Sequence, residues 1–404
     1  MQKSLTVLLT AVLVVFSACL ISAQESNSGI TIDRLGGKQA NPTLVFKGVD
    51  GDRALSEQVS RDLRNCDWFD VRQPGSGVSD YIVTGVATEN TLTLTLTNGA
   101  GRKIGDFQYV SNSARKRSAV CVDAILHKLF DVPGICNSKI VFSVKIGNAR
   151  EIYVCDFDGR NPTRITANGA ISTSPLWSPD AKTIVYNYTG TGISNVIQYR
   201  LDNCQSRRLT RYRGSNQGGA ISPDGKYVAL ILSRSQQVDL YIRPTEGGQL
   251  IRLTNNVEVE SSPCWSPDGQ WIYFVSGLNI RPQIFRVSPF GKRMQSKVPG
   301  LLGSEQHTPK FSADGKLIYT AKIGGSFCIA MADVSNNSDV TSEKIVTANE
   351  TEIRGEGPSW APDRRHIVVA DGKALYMVDT RHGTRRLLLS GGQMSMPDWS
   401  PILP

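Results

Sequence analysis

The most constraining feature of this 404-residue sequence is a motif that recurs six times in its last two-thirds and reads roughly P-x-W-S-P-D-G-x-x-I-x-Y. Its copies span residues 174–186, 218–230, 262–274, 308–320 and 357–369, with a shortened copy at 396–401. Each copy has a large apolar anchor, and consecutive anchors lie 44, 44, 46, 49 and 39 residues apart: Trp177, Ile221, Trp265, Phe311, Trp360 and Trp399. A repeat of this length is typical of a four-stranded propeller blade.

Each repeat contains the signals of four strands. The S-P-D-G element predicts a tight turn, because Pro presets the backbone of the first corner, Asp bonds its own downstream backbone, and Gly tolerates positive φ. We therefore interpret the repeated Asp residues as turn formers and not as catalytic or calcium-binding groups. Further along one repeat, residues 239–242 and 251–254 have the pattern of two more strands, the second with a basic and apolar ending.

The two ends of the repeat region complement each other. Residues 140–144, 151–157 and 162–166 supply three strands with no S-P-D-G turn before them, whereas residues 396–400 supply a single strand. We infer that the last strand of the chain completes the first blade, because this pairing closes the ring and leaves no open edge. The sequence therefore predicts a mainly β protein with a six-bladed β-propeller at residues 137–404.

Residues 24–136 carry a mixed pattern that predicts a small α/β domain. Apolar residues recur at helical spacing within residues 55–63 and again within 114–129. Strict alternation of Leu and Thr at residues 92–97 predicts a strand. The dipeptide Pro133-Gly134 marks the end of the domain. Packing both helices on one face of a small sheet is the simplest arrangement for such a mixture.

Residues 1–23 predict a cleaved export signal. They begin with a charge at Lys3, continue with an apolar run at residues 5–16 that is too short to span a bilayer, and end with small residues at 22–23. An alternative stays open, because Ser17-Ala18-Cys19 loosely resembles a lipoprotein processing site, and Cys19 would then carry lipid. We expect an exported protein without a transmembrane anchor.

Export implies an oxidising compartment, which gives meaning to the seven cysteines that follow Cys19. An odd number leaves at least one thiol free. The spacing contains neither a C-x-x-C pair nor a zinc-ligand set, so neither a redox motif nor a metal site is predicted. We expect mostly buried thiols with one or two bridges at most, and Cys66 with Cys121 is the pair we would choose.

The chain is basic, with a net charge of +9 and arginine pairs at residues 207–208, 364–365 and 385–386. Nucleic acid could exploit such charge. In an exported protein the simpler interpretation is a set of solvated blade rims that face an acidic partner or a membrane surface, so we predict no nucleic acid partner.

The sequence contains few of the motifs that an enzyme mechanism would require. It contains no G-x-S-x-G nucleophile elbow and no second domain of hydrolase size beside the ring. Asp and Gly are adjacent in the turns at Asp224, Asp268 and Asp314, which differs from the spacing of sialidase repeats. Of the four histidines, only His307 comes just before the first strand of a repeat.

The segments that lead into the first strand of each repeat should surround one mouth of the central channel. A rim of mixed charge with a polarisable Met suits binding of a protein or peptide surface better than catalysis. We predict no catalytic residue, no metal and no cofactor. The predicted partner-binding residues are Arg213, Asn216, Glu258, Glu260, Glu305, His307, Arg354, Glu356 and Met394.

An export signal, a small α/β domain and a closed ring of S-P-D-G repeats together resemble the TolB family over nearly the whole chain after the signal. The strongest segments are S-P-C-W-S-P-D-G at 262–269, R-P-Q-I-F-R-V at 281–287, and the ending at 392–401. Two repeats depart from the pattern, because Ala181 and Arg364 stand where the turn glycine is expected.

The resemblance implies a non-catalytic periplasmic scaffold of the Tol-Pal system, which supports outer-membrane integrity and envelope constriction during cell division. It implies that the peptidoglycan-associated lipoprotein Pal docks at the channel mouth, and that the mature N-terminus at residues 24–33 contacts TolA. The alternative is an exported propeller enzyme that acts on envelope glycans or lactones. That alternative requires a metal or carboxylate cluster in the channel.

Overall fold

A computed structural model of the protein describes residues 40–190, 192–234, 237–277, 281–291, 295–334, 340, 342–346 and 357–404. The predicted export signal, the alternative at Cys19 and the predicted TolA contact at 24–33 lie outside these residues. The first described part is an α/β region with these elements: β1 Thr43–Asp50, α1 Arg53–Asn65, β2 Asp70–Arg72, β3 Tyr81–Ala87, β4 Thr91–Asn98, β5 Lys103–Val110 and α2 Ala114–Phe130.

The α/β region is a five-stranded sheet in the order β2-β1-β3-β4-β5, with two helices packed on it. β1 runs parallel to β2 and β3, and the other pairs are antiparallel. The Leu side chains of β4 are fully buried and share one core with the apolar faces of both helices, as the Leu/Thr alternation predicts. Asp52 and Ser113 cap the helices, because their side chains accept hydrogen bonds from the amides of Leu55 and Lys116.

The rest of the chain is mostly β. Its strands are β6 Lys139–Ile146, β7 Ala149–Asp156, β8 Thr163–Arg164, β9 Ile171–Trp177, β10 Thr183–Thr189, β11 Ser194–Arg200, β12 Ser206–Arg208, β13 Asn216–Ile221, β14 Tyr227–Leu232, β15 Asp239–Pro244, β16 Ile251–Arg252, β17 Glu260–Trp265, β18 Ile272–Ser276, β19 Gln283–Val287, β20 Gln295–Lys297, β21 Gln306–Phe311, β22 Lys316–Ile323, β23 Ser326–Asp333, β24 Ser342–Ile345, β25 Ser359–Trp360, β26 His366–Ala370, β27 Ala374–Asp379, β28 Arg385–Ser390 and β29 Gln393–Trp399.

These strands pair into four-stranded antiparallel units. Four units are separate sheets, β13–β16, β17–β20, β21–β24 and β25–β28. The remaining eight strands form β9–β12 and the group β29-β6-β7-β8, which a single parallel bridge between Arg150 and Ile171 joins into one sheet. The first strand of each unit contacts the first strand of the next, and these contacts return from β25 to β29 and from β29 to β9. The innermost strands therefore follow one another around a ring.

The last strand of the chain pairs with the first strand of the repeat region. β29 runs antiparallel to β6, from Gln393 opposite Lys145 to Trp399 opposite Ile140. The indole of Trp399 also donates to Ser138 Oγ at 2.8 Å. β29 thus takes the innermost position beside β6, β7 and β8, which lack a preceding S-P-D-G turn.

The structure of the repeated turns explains why the S-P-D-G sequence recurs in this chain. In one of them, Asp224 Oδ1 accepts a hydrogen bond from the Lys226 amide at 3.1 Å, and Gly225 has φ of 75°. Ala181 and Arg364, which replace the glycine in two turns, adopt the same left-handed conformation with φ of 54° and 61°. The prediction that the repeated Asp residues form turns is confirmed.

The cysteines correct one expectation. Within the described residues all seven thiols are free in this structure, and the suggested bridge between Cys66 and Cys121 is wrong because the two sulfur atoms contact different elements. Cys121 Sγ donates to the carbonyl oxygens of Leu92 and Phe107, two sheet residues, at 3.7 and 3.5 Å. Cys66 lies at the end of α1 and donates to Leu63 O at 3.2 Å. Sequence spacing alone could not indicate these different surroundings.

The α/β region contacts the turn end of the β25–β28 unit. The indole nitrogen of Trp68 donates to Asp363 Oδ2 at 2.9 Å, and the guanidinium of Arg365 lies 4.7 Å above the Trp68 ring. Arg365 also donates to Asn41 Oδ1 at 2.8 Å. Because Asp363 belongs to an S-P-D-G-type turn, this contact lies at the opposite end of the unit from the start of its innermost strand.

Candidate partner-binding site at the channel mouth

The innermost strands enclose a central channel. Near the ends at which these strands begin, the channel opens into a cavity of about 210 Å³ to which every unit contributes at least one residue. Toward the turn ends lies a second cavity of about 400 Å³. Leu176, Pro263 and Lys310 line both cavities, so the two cavities lie next to each other along the channel. We call the end at which the innermost strands begin the mouth.

One backbone feature repeats around the channel. At the same position of each innermost segment a residue has positive φ, between 49° and 93°: Ser174, Gly218, Ser262, Thr308, Gly357 and Met396. In five of the six units the strand pairing shifts register beside this residue, which is the mark of a β-bulge. In five units a proline follows, and a bulge tolerates its missing N–H. Four of the six residues are not glycine, and such strained positions cluster at functional sites.

The charges inside the channel neutralise each other. Lys310 Nζ donates to Asp398 Oδ1 at 2.9 Å, and Asp398 also accepts from Ser359 Oγ at 2.9 Å and from the Trp177 amide at 2.8 Å. These contacts join four different units through one carboxylate. The carboxylate is fully engaged, so it holds the ring together and does not offer a free ligand to the channel.

A possible metal-ligand group exists elsewhere. Among the described residues, side-chain atoms of Asp67, His366 and Asp379 lie within 4.8 Å of one another, between the α/β region and the β25–β28 unit. Both Asp379 oxygens are already engaged, since Arg365 donates to each and His382 Nδ1 lies 2.6 Å from Oδ2. Burial would raise the pKa of Asp379, but hydrogen bonds and charge from Arg365 outweigh it and hold that pKa well below its usual value. The group is better explained as an interface ion-pair network than as a metal site.

Four of the nine predicted site residues lie where a partner could reach them. Arg213 is exposed, and Glu258, Glu305 and His307 are half-buried. Lys322 Nζ donates to Glu305 Oε1 at 2.8 Å, and this hydrogen bond lowers the pKa of Glu305. His307 Nε2 lies 3.7 Å from Glu305 Oε2. Arg354 and Glu356 fall outside the described residues.

Three predicted site residues turn inward, against expectation. Asn216 is fully buried, and its side-chain amide donates to Tyr212 O and Gly214 O at 2.9 Å each, which fixes its own loop. Glu260 is 1% exposed, and Met394, 5% exposed, packs in the main hydrophobic core. All three lie two residues before the left-handed residue of their innermost strand. Ser172 and Gln306 occupy the same position and are also buried.

The sequence analysis missed an apolar ring around the mouth. Six large apolar side chains are exposed at strand ends and on loops at this end of four of the six units: Ile146, Ile171, Ile193, Val257, Val259 and Phe327. Val257 is 82% exposed. Exposed apolar side chains grouped on one face, around a polar centre, are typical of a protein-binding surface. Their signal in the sequence was available, since Val257 and Val259 flank the predicted Glu258.

One part of the ring joins the predicted charges to this apolar surface. The Phe327 ring lies 5.8 Å from the His307 ring at a steep angle, and Lys322 Nζ lies 5.6 Å from the Phe327 ring centroid. We call Glu305, His307, Lys322 and Phe327 the mouth cluster. It combines an aromatic anchor with charges of both signs, a combination suited to capturing a protein surface.

The burial of Glu260 leads to a stability prediction. Burial, reinforced by the nearby charges of Asp239 and Glu258, raises the pKa of Glu260 to about 7, and its Oε2 atom has no hydrogen-bond partner among the described residues. A carboxyl whose pKa is higher in the folded chain makes the fold less stable as pH rises from about 4.5 to about 7. We expect Glu260→Gln to raise the free energy of unfolding at pH 8 by about 1 to 3 kcal/mol and to change it little at pH 5.

Chemical denaturation at both pH values measures this effect. The control is Glu305→Gln, because Glu305 lies at the surface and its ion pair with Lys322 contributes little to stability. A Glu260→Gln variant that is less stable than the parent at pH 8 would show that the buried carboxylate is compensated by groups we have not identified.

Comparison with known proteins places these observations in context. A family model described as the TolB beta propeller domain matches residues 126–403. The Tol-Pal system protein TolB of Francisella tularensis subsp. tularensis (strain WY96-3418) is 27% identical over 357 residues, which cover 80% of this chain and 79% of that protein. The crystal structure of TolB from Acinetobacter baumannii superposes with a TM-score of 0.80 at 21% identity, covering 92% of this chain and 99% of that one. The fold is therefore a propeller preceded by an α/β region.

Proposed function

Because the chain belongs to the TolB β-propeller family, we propose that it is a non-catalytic component of a Tol-Pal system and works in the periplasm. The observation that carries this proposal is the apolar ring around a polar, charge-neutralised channel. A surface of this kind binds another protein, whereas the described part of the channel offers no group of His, Cys, Asp and Glu side chains that could hold a metal.

We propose that the partner at the mouth is the lipoprotein Pal. The apolar ring supplies area for burial, and the mouth cluster supplies charges of both signs that orient the partner. A second partner, TolA, is proposed to contact residues 24–33. Binding both partners would let the protein link an inner-membrane complex to the outer membrane, in support of envelope integrity and of constriction at division. No helix in the described ranges is long and apolar enough to span a bilayer.

The docking face can be tested by removing two members of the apolar ring. We expect the double variant Val257→Ser, Phe327→Ala to bind Pal at least about thirtyfold more weakly, because loss of an exposed aromatic anchor and of a second apolar side chain of the ring costs about 2 kcal/mol or more. Isothermal titration calorimetry with purified Pal measures the affinity. The melting temperature should hardly change, because Val257 is exposed and Phe327 is only partly buried.

Phe290→Ala is the matched control. Phe290 is 49% exposed and lies on the loop between β19 and β20, toward the turn end of its unit, where its ring contacts Tyr227. We expect this variant to bind Pal with unchanged affinity. If the control loses affinity while the double variant does not, the partner binds the opposite face.

A further inference from the structure

Two thiols meet between α1 and the start of the propeller. Cys66 caps the end of α1 and is fully buried, and Cys136, 1% exposed, lies three residues before β6. Their sulfur atoms donate to neighbouring carbonyls of the last turn of α1, Cys66 to Leu63 O at 3.2 Å and Cys136 to Asp62 O at 3.8 Å. The two thiols therefore donate to successive carbonyl groups of one helix turn, and the Cys66 side chain lies close enough to raise the pKa of Cys136.

We propose that Cys66 and Cys136 form a disulfide when the chain folds in the presence of an oxidant. Cys121 is another buried thiol of the α/β region. Its hydrogen bonds to two carbonyls of the sheet hold it away from Cys66 and Cys136. Cys155 lies within β7, and its side chain is fully buried in the core. Among the thiols of this part of the chain, the contacts with successive carbonyls of α1 therefore favour Cys66 and Cys136 as the pair, which sequence spacing left undetermined.

The reaction is thiol–disulfide exchange. An external disulfide, such as oxidised glutathione or the disulfide of an oxidoreductase, accepts two electrons and leaves as two thiols, while Cys66 and Cys136 lose their protons and share the new S–S bond. Burial, followed by the neighbouring Cys66 thiol, raises the pKa of Cys136 well above its usual value. The folded Cys136 thiol is therefore a poor nucleophile, and the bond must form during folding, before the sulfurs are buried.

The bond would tie the end of α1 to the segment that leads into β6, the first strand of the repeat region. It closes a loop of about seventy residues, and in the chain-entropy description a loop of that size gives a large stabilisation. Asp67, the next residue after Cys66, reaches across to His366 of β26 with 3.5 Å between Oδ2 and Nε2. Fixing Cys66 therefore also fixes the residue that contacts the β25–β28 unit.

The test refolds the full chain in vitro, so only the oxidising location in the cell rests on the proposed function. One sample is refolded with reduced and oxidised glutathione, and another with excess reductant. Free thiols are alkylated under denaturing conditions, and the unreduced digest is analysed by mass spectrometry. We expect a linked peptide containing Cys66 and Cys136, and a melting temperature several degrees higher in the oxidised sample.

Single variants separate this pairing from others. The difference in melting temperature between oxidised and reduced samples should vanish in Cys66→Ala and in Cys136→Ala and persist in Cys121→Ala, which removes a comparably buried thiol. Alkylation of both Cys66 and Cys136 in the oxidised parent, or a linked peptide with any other partner, overturns the proposal. Titration of the same samples with Pal reports separately on the mouth, since the pair lies beside the α/β region at the other end of the ring.

Discussion

A chain that ends at Gln393 should lose its cooperative unfolding transition. The deletion removes almost all of β29, including the buried Met394 and Trp399, and leaves the edge of β6 without its partner. It also removes Asp398, which holds Lys310 and the neighbouring units. Truncating one buried Trp alone costs about 3 to 5 kcal/mol. The summed loss approaches the about 5 to 15 kcal/mol that stabilises a typical fold.

Urea denaturation followed by tryptophan fluorescence and by circular dichroism tests the closure. The full chain should give one steep transition seen alike by both probes, whereas the truncated chain should give broad transitions that differ between probes. The control deletes only residues 402–404, which keeps β29 and loses two hydrogen bonds between Leu403 and Asn137 and one from Lys116 to Pro404 O. A truncated chain that unfolds as sharply as the full chain would mean that β29 does not close the ring.

The pairing of β29 with β6 could be predicted from the sequence because it depends only on the number of strands in each repeat. Three strands without a turn at one end of the repeats and one strand at the other leave few alternatives. The buried positions of Asn216, Glu260 and Met394 could not be predicted in the same way. A β-bulge lies between each of these residues and its apolar anchor, and one extra residue reverses the alternation of faces. If side chains are assumed to alternate between the two faces of β17 from Trp265 back to Glu260, without the extra residue of the bulge, Glu260 is assigned to the wrong face.

Comparison between repeats would have corrected this error. The residue two places before the left-handed position is Ser, Asn, Glu, Gln or Met and is buried at every described copy, so the position itself is structural. The apolar ring was missed for a different reason. Single exposed Val and Ile residues on loops are common, and only the fold shows that these six lie together on one face.

Asp363 makes contacts that the repeat pattern does not predict, and its substitution should cause a large loss of stability. By position it is a turn Asp like Asp224. In the structure it is 1% exposed and accepts hydrogen bonds from the Trp68 indole at 2.9 Å and from the His366 amide at 3.0 Å, while His366 Nδ1 lies 2.6 Å away. Trp68 is 295 residues distant in the chain. Repeat spacing carries no information about such a contact.

We expect Asp363→Ala to lower the free energy of unfolding by about 3 to 5 kcal/mol, because it removes the nearer of the two carboxylates beside the buried His366 and leaves the Trp68 indole without an acceptor. Asp224→Ala is the matched control at the same position of another turn. The Asp224 side chain is 51% exposed, so its loss should cost about 1 kcal/mol, the net value of an ordinary hydrogen bond. Chemical denaturation of both variants measures the difference, and equal costs would show that Asp363 is only a turn former.

The pH dependence tests the cause of the larger loss. Burial would lower the pKa of His366, but the charge of Asp363, with help from Asp67, raises it to about 9. A histidine with a raised pKa stabilises the fold fully below its unfolded value of about 6.5, and this contribution disappears as pH rises through about 9. The difference in stability between the parent and Asp363→Ala should therefore be largest at pH 6 and shrink by pH 10. A difference that stays constant over this range would assign the loss to the Trp68 hydrogen bond and packing instead of to the charged His366.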